Sequence, residues 1–303
     1  MPGNFIGVEA GGTKVVCAVG RDPDDVEEIE RIPTTTPDTT LGLVAGYIER
    51  QAAVRPIAGV GVASFGPLDL VPSSATYGHL TTTPKPGWQG ADLLGPLSHV
   101  TSAPVALDTD VNGAALGELR WGAGVGLDSL AYVTVGTGIG VGLITGGRTV
   151  TGLAHPEGGH LLVRRHPSDP LEGRCPIHGD CLEGLAAGPA WMDRWGVTSS
   201  EMSAAQLEQA LDIQAYYLGQ LVMTLVLVAS PERIVMGGGV LAADGLLDRV
   251  RQSATTVLNG YVSVPSVMAR PEGEAMAEYL VPPGLGDRAG VLGAIALAQD
   301  LVE

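Results

Sequence analysis

The segment Phe5–Val19, FIGVEAGGTKVVCAV, contains two apolar runs separated by small and polar residues. The pattern predicts a buried strand over residues 5–9, a turn over residues 10–13 and a second strand over residues 14–19. Glycines at the turn allow close approach to the backbone, because they have no Cβ. The segment lacks the G-x-x-x-x-G-K-[ST] spacing of a phosphate-binding loop between a strand and a helix. It therefore predicts a β-hairpin with Gly11, Gly12 and Thr13 at its tip.

The same pattern recurs in residues 131–144, AYVTVGTGIGVGLI. We predict strands over residues 131–135 and 139–144, joined by Gly136, Thr137 and Gly138. Backbone N–H groups that cluster at such a tip form a cradle for an anion. One Gly-rich hairpin alone is more often an ordinary turn, but two of them indicate two α/β halves that hold a polyphosphate from both sides. A third glycine run, Gly237, Gly238 and Gly239, follows a predicted strand and suits a flat nucleoside.

A polar segment, Asp108–Asn112, follows the predicted strand at residues 105–107 and precedes a predicted helix at residues 112–122. In open α/β folds, ligands collect at the carboxyl ends of the strands. Asp110 is therefore placed where a reactive carboxylate is expected. The alternative is that Asp110 or Asn112 only caps the helix, as these residue types often do.

The segment from His155 to Glu183 contains the spacing Cys175-x-x-His178-x-x-Cys181. Two-residue gaps allow a tight turn to bring three side chains onto one ion, and His160 is the candidate fourth ligand. Four protein ligands of this kind suit a tetrahedral zinc with a structural role. The sequence therefore predicts a metal site in this segment.

A metal ion in this segment would also fix two carboxylates. Glu157 lies three residues before His160, and Glu183 lies two residues after Cys181. We therefore interpret the metal as a clamp on a substrate-binding loop, although either glutamate alone could be an ordinary solvated charge. The alternative for Cys175 and Cys181 is a disulfide, which a reducing cytoplasm disfavours.

Composition limits the classes of partner. The chain has 303 residues, which is enough for two domains, and a net charge of −16. This charge argues against nucleic acid or an anionic membrane as the main partner, because both require a positive surface. The sequence shows no signal-peptide pattern and no long uninterrupted apolar segment, so we expect a cytoplasmic protein. Cys17 lies in an apolar run and is interpreted as a small core residue.

Taken together, these motifs resemble the ROK family of sugar kinases, which have the actin-like ATPase (ribonuclease H-like) fold. The resemblance covers essentially the whole chain. It is carried by EAGGTK at Glu9–Lys14, DTDVN at Asp108–Asn112, TVGTGIG at Thr134–Gly140, EGGH at Glu157–His160, the Cys175/His178/Cys181 cluster and MGGG at Met236–Gly239. Within the family, HPEGGH, the cysteine–histidine spacing and TTTPKPGW at Thr81–Trp88 resemble the zinc-containing bacterial fructokinases.

The resemblance implies an ATP- and Mg²⁺-dependent kinase that phosphorylates the 6-hydroxyl of a hexose, with fructose preferred, and a homodimer. It implies Asp110 as the general base and Asn112, Glu157, His160 and Glu183 as sugar ligands. A structural zinc would be held by His160, Cys175, His178 and Cys181. ATP would be bound by Gly11, Gly12, Thr13, Lys14, Gly136, Thr137, Gly138, Gly237, Gly238 and Gly239.

The implied architecture is two α/β domains around a central cleft. We expect one domain to contain residues 1–112 plus 289–303. The other contains residues 113–288 and carries the zinc-bound substrate loop at residues 155–183. The first predicted strand begins at about Phe5, which leaves no room for the N-terminal helix-turn-helix of the family's transcriptional repressors.

Two residues depart from the family pattern. Glu9 stands where many relatives have Asp, which changes the expected placement of Mg²⁺. Thr109 stands where many glucose-directed relatives have Asn, so one sugar hydroxyl loses an amide partner. Three alternatives stay open: a glucokinase or mannokinase of the same family, or a zinc-stabilised sugar-binding protein without turnover. Lys85, in the Pro-flanked loop, is either a solvated lysine or a residue that borders the sugar.

Overall fold

The computed structural model describes residues 3–262 and 274–302. These residues form two compact units. The first unit contains the described residues up to Asp128, together with Gly142–Pro156 and the residues from Pro283 onward. The second unit contains the described residues of Ser129–Val141 and Glu157–Pro282. The chain passes between the units within a strand, after Val141.

A five-stranded sheet with the order β3-β2-β1-β4-β5 is the framework of the first unit. β1 pairs antiparallel with β2 and parallel with β4, β2 pairs antiparallel with β3, and β4 pairs parallel with β5. The strands are β1 (Asn4–Ala10), β2 (Lys14–Gly20), β3 (Glu27–Pro33), β4 (Ile57–Ser64) and β5 (Val105–Thr109). The first predicted hairpin is confirmed as β1 and β2.

The second sheet has the strand order β10-β9-β6-β7-β8. β9 is parallel to both β6 and β10, and β7 is antiparallel to β8. The strands are β6 (Leu130–Val135), β7 (Ile139–Thr145), β8 (Arg148–Thr149), β9 (Ile234–Gly237) and β10 (Leu280–Val281). The predicted strands on both sides of Gly136–Gly138 are confirmed as β6 and β7.

Nine α-helices lie in the part of the chain that the structure describes. They are α1 (Pro37–Val54), α2 (Leu94–His99), α3 (Asp110–Trp121), α4 (Leu182–Ala186), α5 (Gly188–Trp195), α6 (Ala204–Val228), α7 (Leu246–Leu258), α8 (Glu274–Tyr279) and α9 (Ala289–Asp300).

Helices cover both faces of the first sheet, and the alternation of side chains along β1 shows why. Ile6 packs in the same core as Tyr47 of α1 and Leu97 of α2. Phe5, which points to the opposite face, packs against Ile295 of α9. Successive side chains of a strand point to opposite faces, so an apolar run in β1 serves two cores.

α9 lies unusually close to the first sheet and to α3. A Cβ built on Gly61 of β4 would be 1.8 Å from the Ala294 carbonyl oxygen, and one built on Gly293 would be 1.7 Å from the Gly113 carbonyl oxygen. Only glycine allows such contacts. They keep the whole of α3 in the first unit, whereas the boundary expected after residue 112 divides this helix.

The charged segment at residues 21–31 predicts only a turn at residues 22–25, whereas the structure also forms strand β3 at Glu27–Pro33. Its sequence, EEIERIP, lies at the edge of the sheet and carries charged side chains such as Glu30, which pairs with Arg50 of α1 at 2.6 Å. Charges on an edge strand are common, since they discourage pairing with another chain. The sequence also predicts a short helix or strand within residues 268–281; this segment lies partly outside the described residues, and its described end forms α8 and β10.

α6 is the one helix of the described residues that is long and apolar enough to cross a membrane. About two thirds of its most apolar 18-residue window, 67%, is buried within the protein. Buried residues such as Tyr217 and Leu221 are fully enclosed. The apolar character of α6 is therefore that of a core helix.

Candidate active site

Other residues of the first unit donate hydrogen bonds to the carbonyl groups at the tip of the first hairpin. The Thr34 hydroxyl donates to the Gly11 carbonyl at 2.7 Å, and the Lys85 ammonium donates to the Gly12 carbonyl at 2.5 Å. The Thr34 N–H donates to the Thr13 carbonyl at 3.0 Å. Within the described residues, the Gly12 and Thr13 N–H groups have no acceptor. This arrangement of free donors beside an ammonium group suits an anion.

The second hairpin has a similar tip. The Gly136 N–H donates to the Gly138 carbonyl at 2.9 Å, and the Gly188 N–H donates to the Gly136 carbonyl at 2.7 Å. The Thr137 and Gly138 N–H groups have no acceptor among the described residues. Each predicted Gly-Thr tip thus has bound carbonyl groups and, among the described residues, N–H groups without acceptors, which is the arrangement that the predicted anion cradles require.

A cavity of about 530 Å³ in the second unit opens beside the second hairpin. This volume is typical of a site for a small organic ligand. The N-terminus of α5 contributes to its wall, and the N-terminal end of a helix favours negative charge. The cavity is lined by Gly136, Thr137, Gly188, Pro189, Trp191, Met192, Thr198, Ser199, Gly239, Val240 and Ala243.

The three glycines after β9 have different surroundings. Gly237 is paired in the sheet, opposite Thr134. Gly238 has φ of +101°, and a Cβ built on it would be 2.5 Å from the Val135 carbonyl oxygen. Gly239 lines the cavity, and no other atom lies within 4 Å of a Cβ built there. Packing thus accounts for Gly238, whereas Gly239 leaves space for a ligand.

Asp110 is the first residue of α3, directly after β5. The Thr109 hydroxyl accepts the Asn112 N–H at 3.1 Å, so Thr109 is the N-cap of this helix. Asp110 Oδ1 accepts the Val111 N–H at 2.9 Å. Burial raises the pKa of Asp110 to about 6, because the charged carboxylate is poorly solvated there. A carboxyl group with this pKa is suited to accept a proton near neutral pH.

Asn112 is fully buried, and its side chain supports the junction of β5 and α3, where Asp110 lies. Its amide nitrogen donates to Asp108 Oδ1 at 2.8 Å, and its oxygen accepts the Leu143 N–H at 3.2 Å. Burial raises the pKa of Asp108. Asn112 thus joins β5, α3 and β7 within the first unit, and its expected contact with a sugar stays a prediction.

Glu9 lies at the end of β1, near the start of α9. Burial, followed by the negative charge of Asp110, raises the pKa of Glu9 to about 7, while the nearby Lys14 lowers it. The Val291 N–H donates to the Glu9 carboxylate. A carboxylate at this end of a helix is stabilised by the helix dipole. The Glu9 side chain therefore connects β1 to α9. A shorter Asp side chain at this position would reach α9 less easily.

The predicted metal ligands converge in the second unit. His160 Nδ1 lies 3.7 Å from Cys175 Sγ and 3.5 Å from Cys181 Sγ, and His178 Nδ1 lies 3.8 Å from Cys175 Sγ. The four ligand atoms lie within 4.8 Å of one another, and both cysteines are free thiols. Tetrahedral Zn–S and Zn–N bonds imply N···S separations of about 3.6 Å, which these distances match.

Glu183 connects this cluster to the second hairpin. It lies in the first turn of α4, two residues after Cys181, and its Oε2 accepts the Ile139 N–H at 2.9 Å. A Cβ built on Gly138 would be 2.6 Å from the same oxygen. Glu157, by contrast, is exposed and precedes the 3-10 turn Gly158–His160. The two carboxylates expected to bind a sugar thus have different surroundings within the second unit.

A family profile described as the ROK family matches residues 5–301. The chain belongs to the ROK family. It is 45% identical to a fructokinase of Zymomonas mobilis over 294 residues, which cover 96% of this chain and 95% of that protein. It is 40% identical to a fructokinase of Streptococcus mutans over 298 residues, 97% of each chain.

A solved structure supports the fold assignment. The crystal structure of a ROK hexokinase from Thermus thermophilus is similar to this chain with a TM-score of 0.76 and 28% sequence identity, covering 99% of each chain. The predicted α/β fold of the actin-like ATPases is therefore confirmed for this ROK protein.

Sequence reasoning did not identify most of the cavity wall. A helix is predicted over residues 187–195 and is confirmed as α5, but Gly188 and Pro189 at its start, Trp191 on the same helix and Ser199 in the following turn were not assigned to a ligand site. One local signal was available, because proline in the first turn often marks the start of a helix. Ser199 and Trp191 line the cavity because of tertiary packing. The spacing of residues in this ROK sequence does not indicate such packing.

Gly136→Ala tests whether a ligand approaches the second hairpin. Apart from its chain neighbours, no atom of the described residues lies within 4 Å of a Cβ built on Gly136, so the variant should fold with an unchanged melting temperature. ATP affinity, measured by calorimetry, should fall by about tenfold or more if phosphate oxygens contact this backbone. Gly42→Ala on α1 is the matched control, since its Cβ also meets no atom within 4 Å and Gly42 lies outside this cavity. Unchanged ATP affinity in Gly136→Ala would remove Gly136 from the cradle.

Proposed function

We propose that the chain is a fructokinase that transfers the γ-phosphoryl group of ATP to the 6-hydroxyl of fructose. The observation that carries the proposal is the 45% identity to the Zymomonas mobilis fructokinase over nearly the full length of both proteins. The chemistry requires a base, a site for an anionic nucleotide and a site for a polyol. Candidate groups for each requirement are present in the two units.

Asp110 is the proposed general base. A sugar hydroxyl is a poor nucleophile until its proton is accepted, and a positioned carboxylate accepts it as the new P–O bond forms. The raised pKa of Asp110 favours this step, because a stronger base takes up the proton more readily. The cap of α3 is supplied by Thr109, so the Asp110 side chain is not needed for that purpose.

Glu157, His160, Glu183 and Asn112 are the proposed sugar ligands. An ionised carboxylate accepts hydrogen bonds from two neighbouring hydroxyls. His160 directs Nδ1 toward the two cysteine sulfurs, which leaves Nε2 for a sugar hydroxyl. One ring nitrogen would then serve the metal and the other the substrate.

The nucleotide is proposed to bind at the two cradles and in the cavity of the second unit. Gly11, Gly12, Thr13 and Lys14 would contact phosphates in the first unit, and Gly136, Thr137 and Gly138 would do so in the second. Gly237, Gly238 and Gly239 are the proposed nucleoside region, with Gly239 at the cavity wall. Mg²⁺ would be held by phosphate oxygens, waters and a small number of carboxylates, of which Glu9 and Asp110 are candidates.

A structural zinc is proposed at His160, Cys175, His178 and Cys181. The donor set of two thiols and two imidazoles, with separations of 3.5–3.8 Å, supports a tetrahedral ion without an open position. The ion would hold the segment at residues 155–183 so that Glu157 and Glu183 are positioned. We also propose a cytoplasmic homodimer on the ground of the family resemblance.

Relative kcat/KM values for fructose, glucose and mannose test the substrate. We expect fructose to be preferred. The Thr109 hydroxyl is occupied as the cap of α3, whereas an Asn side chain at this position would offer an amide to a sugar hydroxyl. Thr109→Asn keeps a strong N-cap residue and should raise the glucose-to-fructose ratio by about fivefold, the equivalent of one hydrogen bond. A wild-type preference for glucose would change the assignment to glucokinase, and no turnover with any hexose would favour a binding protein.

Asp110→Asn should lower kcat by about 10² to 10⁴ while ATP still binds. In the wild-type protein, kcat/KM should fall as the pH drops through about 6, because Asp110 becomes protonated below its raised pKa and cannot accept the hydroxyl proton. Rates at saturating ATP over pH 5–8 measure both effects.

Thr109→Ala is the comparison for a purely structural role. Loss of the N-cap should cost about 1 kcal/mol of stability and lower the melting temperature. Asp110→Asn should not lower it, because the charged carboxylate is unfavourable in its buried position. If Asp110→Asn instead destabilises the protein and turns over normally, Asp110 is a capping residue.

Metal analysis of protein purified without added zinc should give about one zinc per chain. Cys175→Ser should abolish the bound metal and lower the activity, because the segment that carries Glu183 loses its anchor. Cys17→Ala is the control, since Cys17 is buried in the first unit and should leave the zinc content unchanged. Full activity at a zinc content near zero would contradict the proposed structural zinc.

A further inference from the structure

Lysine is almost absent from this chain. Of the 17 lysines and arginines, only Lys14 and Lys85 are lysines. Every ion pair of a long basic side chain recorded among the described residues is formed by arginine, as in Arg50–Glu30. The recorded ion pairs of long basic side chains are thus all formed by arginine, so a lysine needs another explanation.

Both lysines lie at the first hairpin. Lys14 is the first residue of β2, directly after the tip. Lys85 comes from a loop 71 residues further along the chain, and its ammonium group lies 2.5 Å from the Gly12 carbonyl oxygen at the tip. The chain therefore places both of its lysines at the same hairpin tip.

The loop that carries Lys85 is firmly anchored. Trp88 is buried, donates from Nε1 to the Thr35 carbonyl at 2.7 Å, and packs edge-to-face against Phe65 with ring centroids 5.3 Å apart. Prolines flank Lys85 on both sides and restrict the backbone. The backbone near Lys85 is thus held by the fold, and the bond to the Gly12 carbonyl positions the ammonium group.

One contact leaves most of the ammonium group available. An ammonium has three N–H donors, and one of them is used on Gly12. In the described part of the chain, Lys85 has no ion-pair partner. The neighbouring N–H groups of Gly12 and Thr13 also lack acceptors among the described residues. The Thr13 N–H belongs to the peptide whose carbonyl binds Lys85, so it points away from the ammonium group, and the two remaining ammonium donors form an anion site of their own beside the hairpin tip.

We propose that Lys85 binds the phosphoryl group that is transferred, and stabilises its charge during the reaction. The inference rests on the proposed kinase function. As the P–O bond to ADP breaks, the bond to the sugar oxygen forms and the hydroxyl proton passes to Asp110. Lys85 exchanges no proton, and its fixed positive charge offsets the charge on the phosphoryl oxygens.

The requirement for lysine follows from geometry. Ammonium is a compact point charge that accommodates the Gly12 carbonyl and a phosphate oxygen in different directions, whereas guanidinium is a planar fork. Arginine at position 85 would keep the charge but could not place it in the same way. The alternative is that Lys85 only ties its loop to the hairpin.

Lys85→Met removes the ammonium and keeps most of the aliphatic stem. We expect kcat to fall by about 10²-fold, as for the loss of one preorganised donor in a transition state. The affinity for a non-hydrolysable ATP analogue should fall by about tenfold or more, while the affinity for ADP, which lacks the transferred group, should stay within about twofold. Calorimetry with both nucleotides measures this difference. Lys85→Arg should bind the analogue more tightly than Lys85→Met, because it restores the charge.

Thr34→Val is the comparison for a tie to the hairpin. It removes the hydroxyl that binds the Gly11 carbonyl and should affect the ATP analogue and ADP to the same extent. If Lys85→Met also weakens both nucleotides equally, or lowers only the melting temperature, Lys85 is a tie and the proposal fails. A wild-type protein that binds ATP analogue poorly and phosphorylates no hexose would instead refute the proposed function.

Discussion

The orientation of a few peptide groups at two hairpin tips is the constraint on which the candidate site depends. In a planar trans peptide, the carbonyl of one residue and the N–H of the next point in opposite directions. Thr34 binds the Gly11 carbonyl and Lys85 binds the Gly12 carbonyl, so the Gly12 and Thr13 N–H groups must point away from them. The Gly188 N–H has the same effect on the second tip, through the Gly136 carbonyl.

The hydrogen bonds at the start of α3 explain the environment of Asp110. Because Thr109 caps α3, the carboxyl group of Asp110 stays at the carboxyl end of β5 without being needed to hold the helix start. Asn112 stabilises the junction of β5 and α3 by donating to Asp108 and accepting the Leu143 N–H. Burial then raises the pKa of Asp110, so the fold supplies a carboxyl group whose proton affinity is near the value that general base catalysis requires.

The sequence predicted those parts of the structure that depend on local pattern. Both hairpins, the metal-ligand set and the strand before Asp110 follow from spacing and hydrophobicity. β3 was missed because an edge strand needs few apolar residues. The cavity wall at Trp191 and the contact of Lys85 with Gly12 depend on tertiary packing between distant segments. A compositional signal for Lys85 did exist, since lysine is so rare in this chain, but it becomes meaningful only when both lysines are seen at one hairpin.

Glu183 links the segment that carries the proposed metal ligands to the second hairpin. Cys181 precedes α4, Glu183 lies in its first turn, and Glu183 Oε2 accepts the Ile139 N–H immediately after Gly138. The Gly138 carbonyl accepts the Gly136 N–H, so the peptide that joins Gly138 to Ile139 is held at both ends. A side chain at Gly138 would collide with the Glu183 carboxylate. The effects of a Gly138 substitution on nucleotide affinity and on sugar affinity could therefore not be separated. Loss of the proposed metal would therefore loosen Glu183 first and the second hairpin next, because the Glu183 carboxylate contacts the hairpin and follows the proposed ligand Cys181.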